Sequence, residues 1–181
     1  MLDLALAYTR YRFLGNEFLT WLWYLVENDK YTPAAHGGDG NADAPASLQV
    51  GNRLVLENRQ QEGLETITIK GDDAGLEEGI LALRKGALVS EINLKYTLGP
   101  QQWTFTLKGE SLNVSNLKFP EPTLVETRQD LEAATLDRIF MTEKVVDLIE
   151  DLYTRFVKQR LSPRWESEVL ADIRQWIYSG T

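Results

Sequence analysis

The chain contains no cysteine and a single histidine among its 181 residues. The lack of cysteine excludes disulfides, thiolate metal sites and cysteine nucleophiles. The one histidine, His36, lies in a Gly- and Ala-rich stretch. No predicted element orients it there, whereas a general base must be held within hydrogen-bond reach of the proton it takes. Most imidazole-based catalysis is therefore excluded.

Positive charge is also scarce. Lys and Arg number 19 against 27 Asp and Glu, which leaves a formal net charge of -8 at pH 7. This balance argues against a polyanion binder with basic surface all round, so any nucleic-acid contact must be confined to a local patch. Hydrophobic residues make up 43% of the chain and aromatic residues 10%, which is enough to bury a core.

Long hydrophobic runs are missing. The most apolar run, Phe18 to Val26, spans nine residues, whereas a membrane-spanning helix needs about 20. Near the amino terminus Asp3 comes early and Arg10 and Arg12 come late, which reverses the charge order of a secretory signal. The sequence therefore predicts no membrane contact and a cytoplasmic location, nucleoid-associated if the protein binds DNA.

Motifs for catalysis, cofactors and metals are absent too. The chain has no G-x-S-x-G, no Walker lysine loop and no G-x-G-x-x-G. Residues Asp39 to Asp43 imitate the start of a calcium loop, but Ala44 replaces the required glycine and Val50 the required glutamate. We therefore expect no catalytic residue, no metal site, no cofactor and no enzymatic activity.

An aromatic helix is predicted near the amino terminus, over Glu17 to Asn28 with Asn16 as its N-cap. Four apolar residues recur there at spacings of three and four: Phe18, Trp21, Leu22 and Leu25. Trp23, Tyr24 and Val26 make the remaining faces apolar as well. The helix is therefore covered on more than one side, either by the core alone or also by a second copy of the chain. The second alternative makes these three residues candidate interface residues of a homodimer.

Strands follow a Gly-, Ala- and Pro-rich segment, Lys30 to Ser47, which we interpret as a mobile loop. The first two predicted strands, Leu48 to Asn58 and Leu64 to Lys70, are joined by a hairpin around Gln60 to Gly63. A short helix comes next, capped by Asp72 and Asp73. Its stripe and its end are marked by Leu76, Ile80, Leu83 and Gly86.

The clearest strand alternation begins at Leu88. One side of this strand carries Leu88, Ile92, Leu94, Tyr96 and Leu98, and the other side carries Glu91, Asn93, Lys95 and Thr97. Gly99-Pro100 turns the chain into a partner strand that contains Trp103, Phe105 and Leu107. A fifth strand is predicted over Leu112 to Phe119.

Helices take over after Pro120-Glu121-Pro122. The pattern predicts one helix over Asp130 to Phe140, a second capped by Thr142, and a last one that begins at Ser162-Pro163. The fold class is therefore α+β, with an antiparallel sheet of about five strands faced by helices and a C-terminal helical tail. We divide the chain into a sheet domain, 1–122, and a helical segment, 123–181.

Basic residues form two local sets. Arg155, Lys158, Arg160 and Arg164 fall within ten residues, and they are explained either by a phosphate-binding patch or by capping of a helix C-terminus. Lys95 and Lys108 lie on the polar faces of paired strands, where they either face a polyanion or simply solvate the sheet.

Three stretches resemble the RdgC-like recombination-associated family: residues 13–23 (FLGNEFLTWLW), residues 83–89 (LRKGALV) leading through the strand to Trp103 and Leu117-Lys118-Phe119, and residues 140–152 (FMTEKVVDLIEDL). They follow the family's order over most of 13–152 and are similar to the C-terminal part of its longer members. Lys85 and Lys118 match basic positions of the family, whereas Glu91 stands where the family has a basic residue. Residues 153–181 extend beyond the similar region.

The resemblance implies a non-enzymatic protein that binds double-stranded DNA without sequence preference and assembles as a dimer in the regulation of recombination, with a recombination protein as a further partner. The DNA-binding candidates are Lys85, Lys95, Lys108, Lys118, Arg155 and Lys158. The alternative is an acidic protein-protein interaction module that does not bind DNA.

Overall fold

The computed structural model describes residues 4–33, 45–60, 63–71, 75–120 and 127–179. His36, the calcium-loop-like stretch Asp39 to Asp43 and the predicted caps Asp72 and Asp73 lie outside these ranges. The elements in chain order are α1 (Leu4–Glu27), β1 (Ala46–Gln60), β2 (Gly63–Lys70), α2 (Gly75–Arg84), β3 (Leu88–Leu98), β4 (Gln101–Lys108), β5 (Val114–Lys118), α3 (Arg128–Arg160), a π-helical turn (Trp165–Val169) and α4 (Leu170–Ser179).

The five strands form one antiparallel sheet in the order β2-β1-β3-β4-β5. Gln60 pairs with Gly63 in the first predicted hairpin, and Leu98 pairs with Gln101 in the second. The predicted α+β class with a five-stranded antiparallel sheet is confirmed. The predicted loop, Lys30 to Ser47, extends too far, because Ala46 and Ser47 already pair with β3.

One face of the sheet is apolar and covered by helices. α1 packs against β1 and β3, and α2 packs against β1 and β2. The strands bury large apolar side chains on this face: Leu54, Leu56, Ile92, Leu94, Tyr96, Trp103, Phe105 and Leu107. The alternation predicted for β3 is therefore confirmed for Ile92, Leu94 and Tyr96, whereas at the start of the strand Val89, and not the predicted Leu88, is buried in the core.

On the polar side of β3, Asn93 is buried, with 7% of its surface exposed. Its Nδ2 donates hydrogen bonds to the carbonyl oxygen of Phe105 (3.0 Å) and to Oγ1 of Thr106 (3.1 Å). An irregularity in β1 between Val50 and Leu54 brings Gly51 onto the amide, where a Cβ would stand 2.0 Å from Asn93 Oδ1. The strand pattern assigned the correct face to Asn93 but missed this local burial.

α1 begins at Leu4, so the prediction that Asn16 is an N-cap is wrong. The preceding residues are rich in leucine, alanine and arginine, which are good helix formers, and contain no proline or glycine before Gly15. The carbonyl oxygen of Asn16 accepts a hydrogen bond from Thr20 Oγ1 at 2.8 Å, as a residue inside a helix does. A capping residue type alone therefore misplaced the helix start.

α3 is one continuous helix of 33 residues instead of the two predicted. Thr127 is its N-cap and forms a capping box with Asp130. Thr142, predicted to cap a second helix, lies inside α3 and donates its Oγ1 to the carbonyl oxygen of Arg138 at 2.7 Å. A threonine hydroxyl can be satisfied in this way within a helix, so it need not mark a boundary.

The C-terminal half of α3 packs against α1. The rings of Phe18 and Phe156 lie 5.5 Å apart, and Trp21 Nε1 donates to Gln159 Oε1 at 2.9 Å. One cluster of buried residues includes side chains from the sheet, α1, α3 and α4. The division at residue 122 stays a prediction, although the helical segment shares this core with the sheet.

The last helix begins with the π-helical turn, and its N-cap Arg164 makes no capping hydrogen bond from its side chain. Ser162, where the sequence predicts that this helix begins, instead donates its Oγ back to the carbonyl oxygen of Gln159 at 2.8 Å and does not cap it. Trp165 and Ile173 are buried and attach this last helical segment to the core. No helix in the described part of the chain is long and apolar enough to cross a membrane.

Candidate nucleic-acid interface

Two lysines share one row across the polar face of the sheet, which is the face opposite α1. Lys95 of β3 pairs with Thr104 of β4, and Thr104 pairs with Lys118 of β5. Directly paired residues point to the same side of a sheet, and neighbouring strands lie about 4.8 Å apart. The backbones of Lys95 and Lys118 are therefore about 10 Å apart, with their side chains on one surface.

Lys108 extends this surface along β4. It lies four residues beyond Thr104, so its side chain has the same orientation and its backbone stands about 13 Å further along the strand. Lys108 and Lys118 are exposed and Lys95 is half-buried. We call Lys95, Lys108 and Lys118 the lysine face.

Among the described residues of β3, β4 and β5, Glu91 is the one carboxylate on this side. It is paired directly with Lys108 across the strands, and its Oε1 lies 2.9 Å from Nε of Arg53 on β1. The side chain of Glu91 is only 17% exposed and touches the Arg53 guanidinium, so the positive charge of Arg53 offsets most of the negative potential of Glu91. An acidic chain thus carries a net positive surface at the lysine face.

The amide side chain that lies between Lys95 and Lys108 on this face, Asn93, is not available to a base edge. Asn93 is the residue type that reads adenine in the major groove, but its amide is buried against Phe105, Thr106 and Gly51. Lysine ammonium groups attract phosphates as point charges. Contacts of this kind position a nucleic acid without reading its sequence.

Lys85 lies apart from the lysine face. It follows α2 in the turn that leads into β3, on the helix-covered side of the sheet. Its carbonyl oxygen accepts a hydrogen bond from Asn58 Nδ2 at 3.2 Å, and its side chain is exposed. The structure therefore does not bring Lys85 together with Lys95, Lys108 and Lys118.

The basic cluster on the helical tail is mostly paired with carboxylates. Arg155 Nε lies 2.8 Å from Asp151 Oδ2, and its Nη1 donates to the carbonyl oxygen of Thr32 at 2.6 Å. Arg160 pairs with Glu17 at 2.9 Å, and Arg164 with Glu168 at 3.7 Å. Lys158 is exposed and has no ion pair within the described ranges. Arg155 thus holds the segment after α1, and three of the four basic side chains of this cluster have a carboxylate partner, whereas Lys158 has none within the same ranges.

Trp23 and Tyr24, predicted as interface residues, belong to the chain's own core. They are 1% and 4% exposed, and both rings contact Trp176 of α4, with centroids 5.2 and 5.7 Å away. The second apolar face of α1 is therefore covered by the folded-back tail, which corrects the interface prediction for these two residues. Val26 is half-buried and packs against the same core.

Two tyrosines lie beside the segment that Arg155 holds. Burial raises the pKa of Tyr31, and the nearby Tyr96 raises it further. Burial also raises the pKa of Tyr96. Both phenols therefore keep their protons in the folded state at a pH where an unfolded chain releases them.

This difference predicts an alkaline loss of stability. A raised pKa in the folded state contributes stability that is fully present below the unfolded value of about 10 and is lost as the pH rises beyond it. Urea denaturation at increasing pH should show the free energy of unfolding falling above pH 10. Tyr31→Phe and Tyr96→Phe should each make that decline shallower, and an equally steep decline in the double variant would contradict the assignment.

Two features of the candidate site had no signal in the sequence. The first is the role of Arg53, which depends on the pairing of β1 with β3. The second is the shared row of Lys95 and Lys118, which depends on the register of three strands. Within the described residues, no group of three His, Cys, Asp or Glu side chains could hold a metal ion.

No family model matches the chain, and no curated protein matches it either.

Proposed function

We propose that this chain contacts the phosphates of double-stranded DNA through the lysine face, without sequence preference and without enzymatic activity, as an RdgC-like protein that acts in the regulation of recombination. The observation that carries the proposal is the row of Lys95 and Lys118, extended by Lys108, beside a Glu91 balanced by Arg53. The resemblance to the family supports it independently at Lys118. A nucleoid location and a recombination protein as partner belong to the same proposal.

Such a contact is weak and depends strongly on salt. Each neutralised phosphate contributes a slope of about -0.9 to the dependence of log K on log salt. If three lysines each neutralise one phosphate, raising the salt from about 50 to 200 mM lowers the affinity for DNA about 40-fold. The net charge of -8 repels DNA elsewhere on the protein, which keeps the contact local.

The test compares two double variants with the same change of charge. Lys95→Gln with Lys118→Gln removes the shared row, whereas Lys85→Gln with Lys158→Gln removes two exposed lysines away from it. Fluorescence anisotropy on unrelated duplexes at low salt should show weaker binding for the first variant and parental binding for the second. Weaker binding by the second variant alone would assign the DNA contact to Lys85 and Lys158. Equal losses of affinity in both variants would mean that binding depends only on the net charge of the protein.

The competing function is an acidic protein-protein interaction module that does not bind DNA. The exposed apolar residues on the first half of α3 favour it. A parental protein that fails to bind any duplex at low salt would contradict DNA binding and favour this alternative.

A further inference from the structure

The first half of α3 projects beyond the protein core. Every residue that this helix buries lies between Val145 and Phe156. Ahead of that stretch and at its start, aliphatic and aromatic side chains keep about half or more of their surface exposed: Leu131 57%, Leu136 67%, Ile139 51%, Phe140 49% and Val146 51%. Exposed apolar side chains so concentrated on one helix indicate an interaction surface.

A groove of about 380 Å³ runs along this exposed half of α3, over residues 135–147. Its apolar floor is formed by Ile139 and Val146, which lie two turns apart on the same side of the helix. Two threonines of the groove, Thr135 and Thr142, donate their hydroxyls to carbonyl oxygens of the same helix at 2.8 and 2.7 Å. They therefore need no polar partner, and the groove, about 18 Å long, is suited to an apolar stripe.

Carboxylates border one side of the groove. Glu143 and Asp147 are one turn apart, and Glu150 follows at the next turn. All three are exposed, and none of them takes part in an ion pair of the described residues. Arg138 lines the groove too, but a separation of nine residues places it on the side opposite Asp147. Like charges four residues apart destabilise a helix, so this side is stabilised by cations that the described residues do not supply.

We propose that this groove binds a basic amphipathic helix of another protein. The apolar stripe of that helix packs on Ile139 and Val146, and lysine or arginine side chains along its edge meet Glu143, Asp147 and Glu150. An apolar helix face laid into a groove is a common mode of peptide recognition, and about four turns of helix cover the length available here. The inference does not rest on DNA contact through the lysine face, which lies on the sheet.

Charge favours a basic partner over a second copy of α3. Between Arg128 and Glu150 the helix carries six carboxylates, at positions 130, 132, 137, 143, 147 and 150, against three basic residues, at positions 128, 138 and 144. A second copy brings the same excess of negative charge to the groove. A helix with basic edges supplies the opposite charge, and complementary potentials of this kind select a partner and speed its encounter.

The groove is formed before any partner arrives. The capping box of Thr127 and Asp130 stabilises the first turn of α3 without help from the core. At the other end of the groove, Val145, Leu148 and Ile149 are buried and anchor the helix. This half of α3 therefore does not have to fold on binding, so the entropy of ordering is lost mainly by the partner.

Two synthetic helical peptides of about 18 residues, or about 27 Å, serve as probes. Both carry leucine at spacings of three and four, and they differ only at the edges of this stripe, where one has lysine and the other glutamate. Fluorescence anisotropy at low salt should show the parent binding the lysine peptide at least about tenfold more tightly than the glutamate peptide. No binding of the lysine peptide, or equal binding of the two, would overturn the proposal.

Variants of the groove floor test the apolar contact. Ile139→Ser with Val146→Ser should weaken binding of the lysine peptide about tenfold or more, because buried aliphatic surface is lost. The matched control is Leu64→Ser with Leu81→Ser, since these two leucines are each 52% exposed on β2 and α2. The control should keep the parental affinity, and circular dichroism establishes that each variant is folded. Equal losses of affinity in both double variants would contradict binding in the groove.

A reversal of charge tests the acidic side. Glu143→Lys with Asp147→Lys should transfer the preference from the lysine peptide to the glutamate peptide. Glu77→Lys with Glu78→Lys makes the same change of charge at two exposed positions of α2 and should leave the parental preference unchanged. A transfer of preference in both variants would mean that the peptides sense only the net charge of the protein, which would overturn the proposal.

Two further measurements separate this inference from other occupants and from DNA binding. Lys95→Gln with Lys118→Gln should bind the lysine peptide as the parent does, because the lysine face lies outside the groove. Sedimentation equilibrium of the parent without peptide tests for a second copy in the groove. Self-association that Ile139→Ser with Val146→Ser abolishes would show that a second copy covers the groove, and the proposal would then be wrong.

Discussion

Replacing Trp23 by alanine is expected to lower the free energy of unfolding by about 3–5 kcal/mol. The side chain is 1% exposed and meets Trp176 edge to face, with ring centroids 5.2 Å apart. Its Nε1 donates to Glu27 Oε1 at 3.2 Å, and its ring stands where a Cβ on Gly79 would come within 2.5 Å. The cavity left by the indole therefore removes a large part of the roughly 5–15 kcal/mol by which a folded domain is stable.

Urea denaturation followed by circular dichroism measures this loss. The control is Tyr178→Ala on α4, where the side chain is 68% exposed and truncation should change stability by less than about 0.5 kcal/mol. Sedimentation of Trp23→Ala should show no separate effect on assembly. A variant as stable as the parent but altered in mass would return Trp23 to an intermolecular interface.

Replacing Gly15 by alanine is expected to destabilise the protein, although alanine is normally better than glycine inside a helix by about 1 kcal/mol. A Cβ at Gly15 would stand 1.7 Å from the carbonyl oxygen of Gly109, in the turn between β4 and β5. Both partners are backbone, so neither can rotate away. α1 must therefore separate from the turn, at a cost of about 3 kcal/mol or more.

The opposite side of the same contact supplies the comparison. A Cβ at Gly109 would stand 2.9 Å from Asn16 Oδ1 and 3.0 Å from the backbone of Gly15, which is a milder clash. Thermal and urea melts should therefore rank the variants with Gly15→Ala less stable than Gly109→Ala, and both below the parent. A Gly15→Ala protein more stable than the parent would mean that α1 and the turn are not in contact.

Strands were predictable from the sequence because their signal is local. The alternation of Ile92, Leu94 and Tyr96 with polar neighbours needs no knowledge of the rest of the chain, and the hairpin turns follow from nearby Gly, Pro and polar residues. Helix boundaries were less predictable. Asn16 and Thr142 are typical caps, yet each lies inside a long helix, where backbone and hydroxyl groups bond within the same turn.

Contacts between distant segments were beyond local patterns. Nothing around Trp23 indicates that α4, about 150 residues later, covers its ring. The placement of β1 between β2 and β3 likewise depends on pairing across α2, and it brings Arg53 to Glu91. The basic cluster shows the same limit, because Arg160 finds its partner in Glu17 at the other end of the chain.

The salt dependence of duplex binding is the measurement that tests the proposed function most directly. For the parent, log K against log salt should fall with a slope of about -2.7, which corresponds to three neutralised phosphates. Lys95→Gln with Lys118→Gln should reduce that slope to about -0.9, whereas Lys85→Gln with Lys158→Gln should leave it unchanged. No binding at low salt, or the same slope in both double variants, would contradict DNA contact through the lysine face.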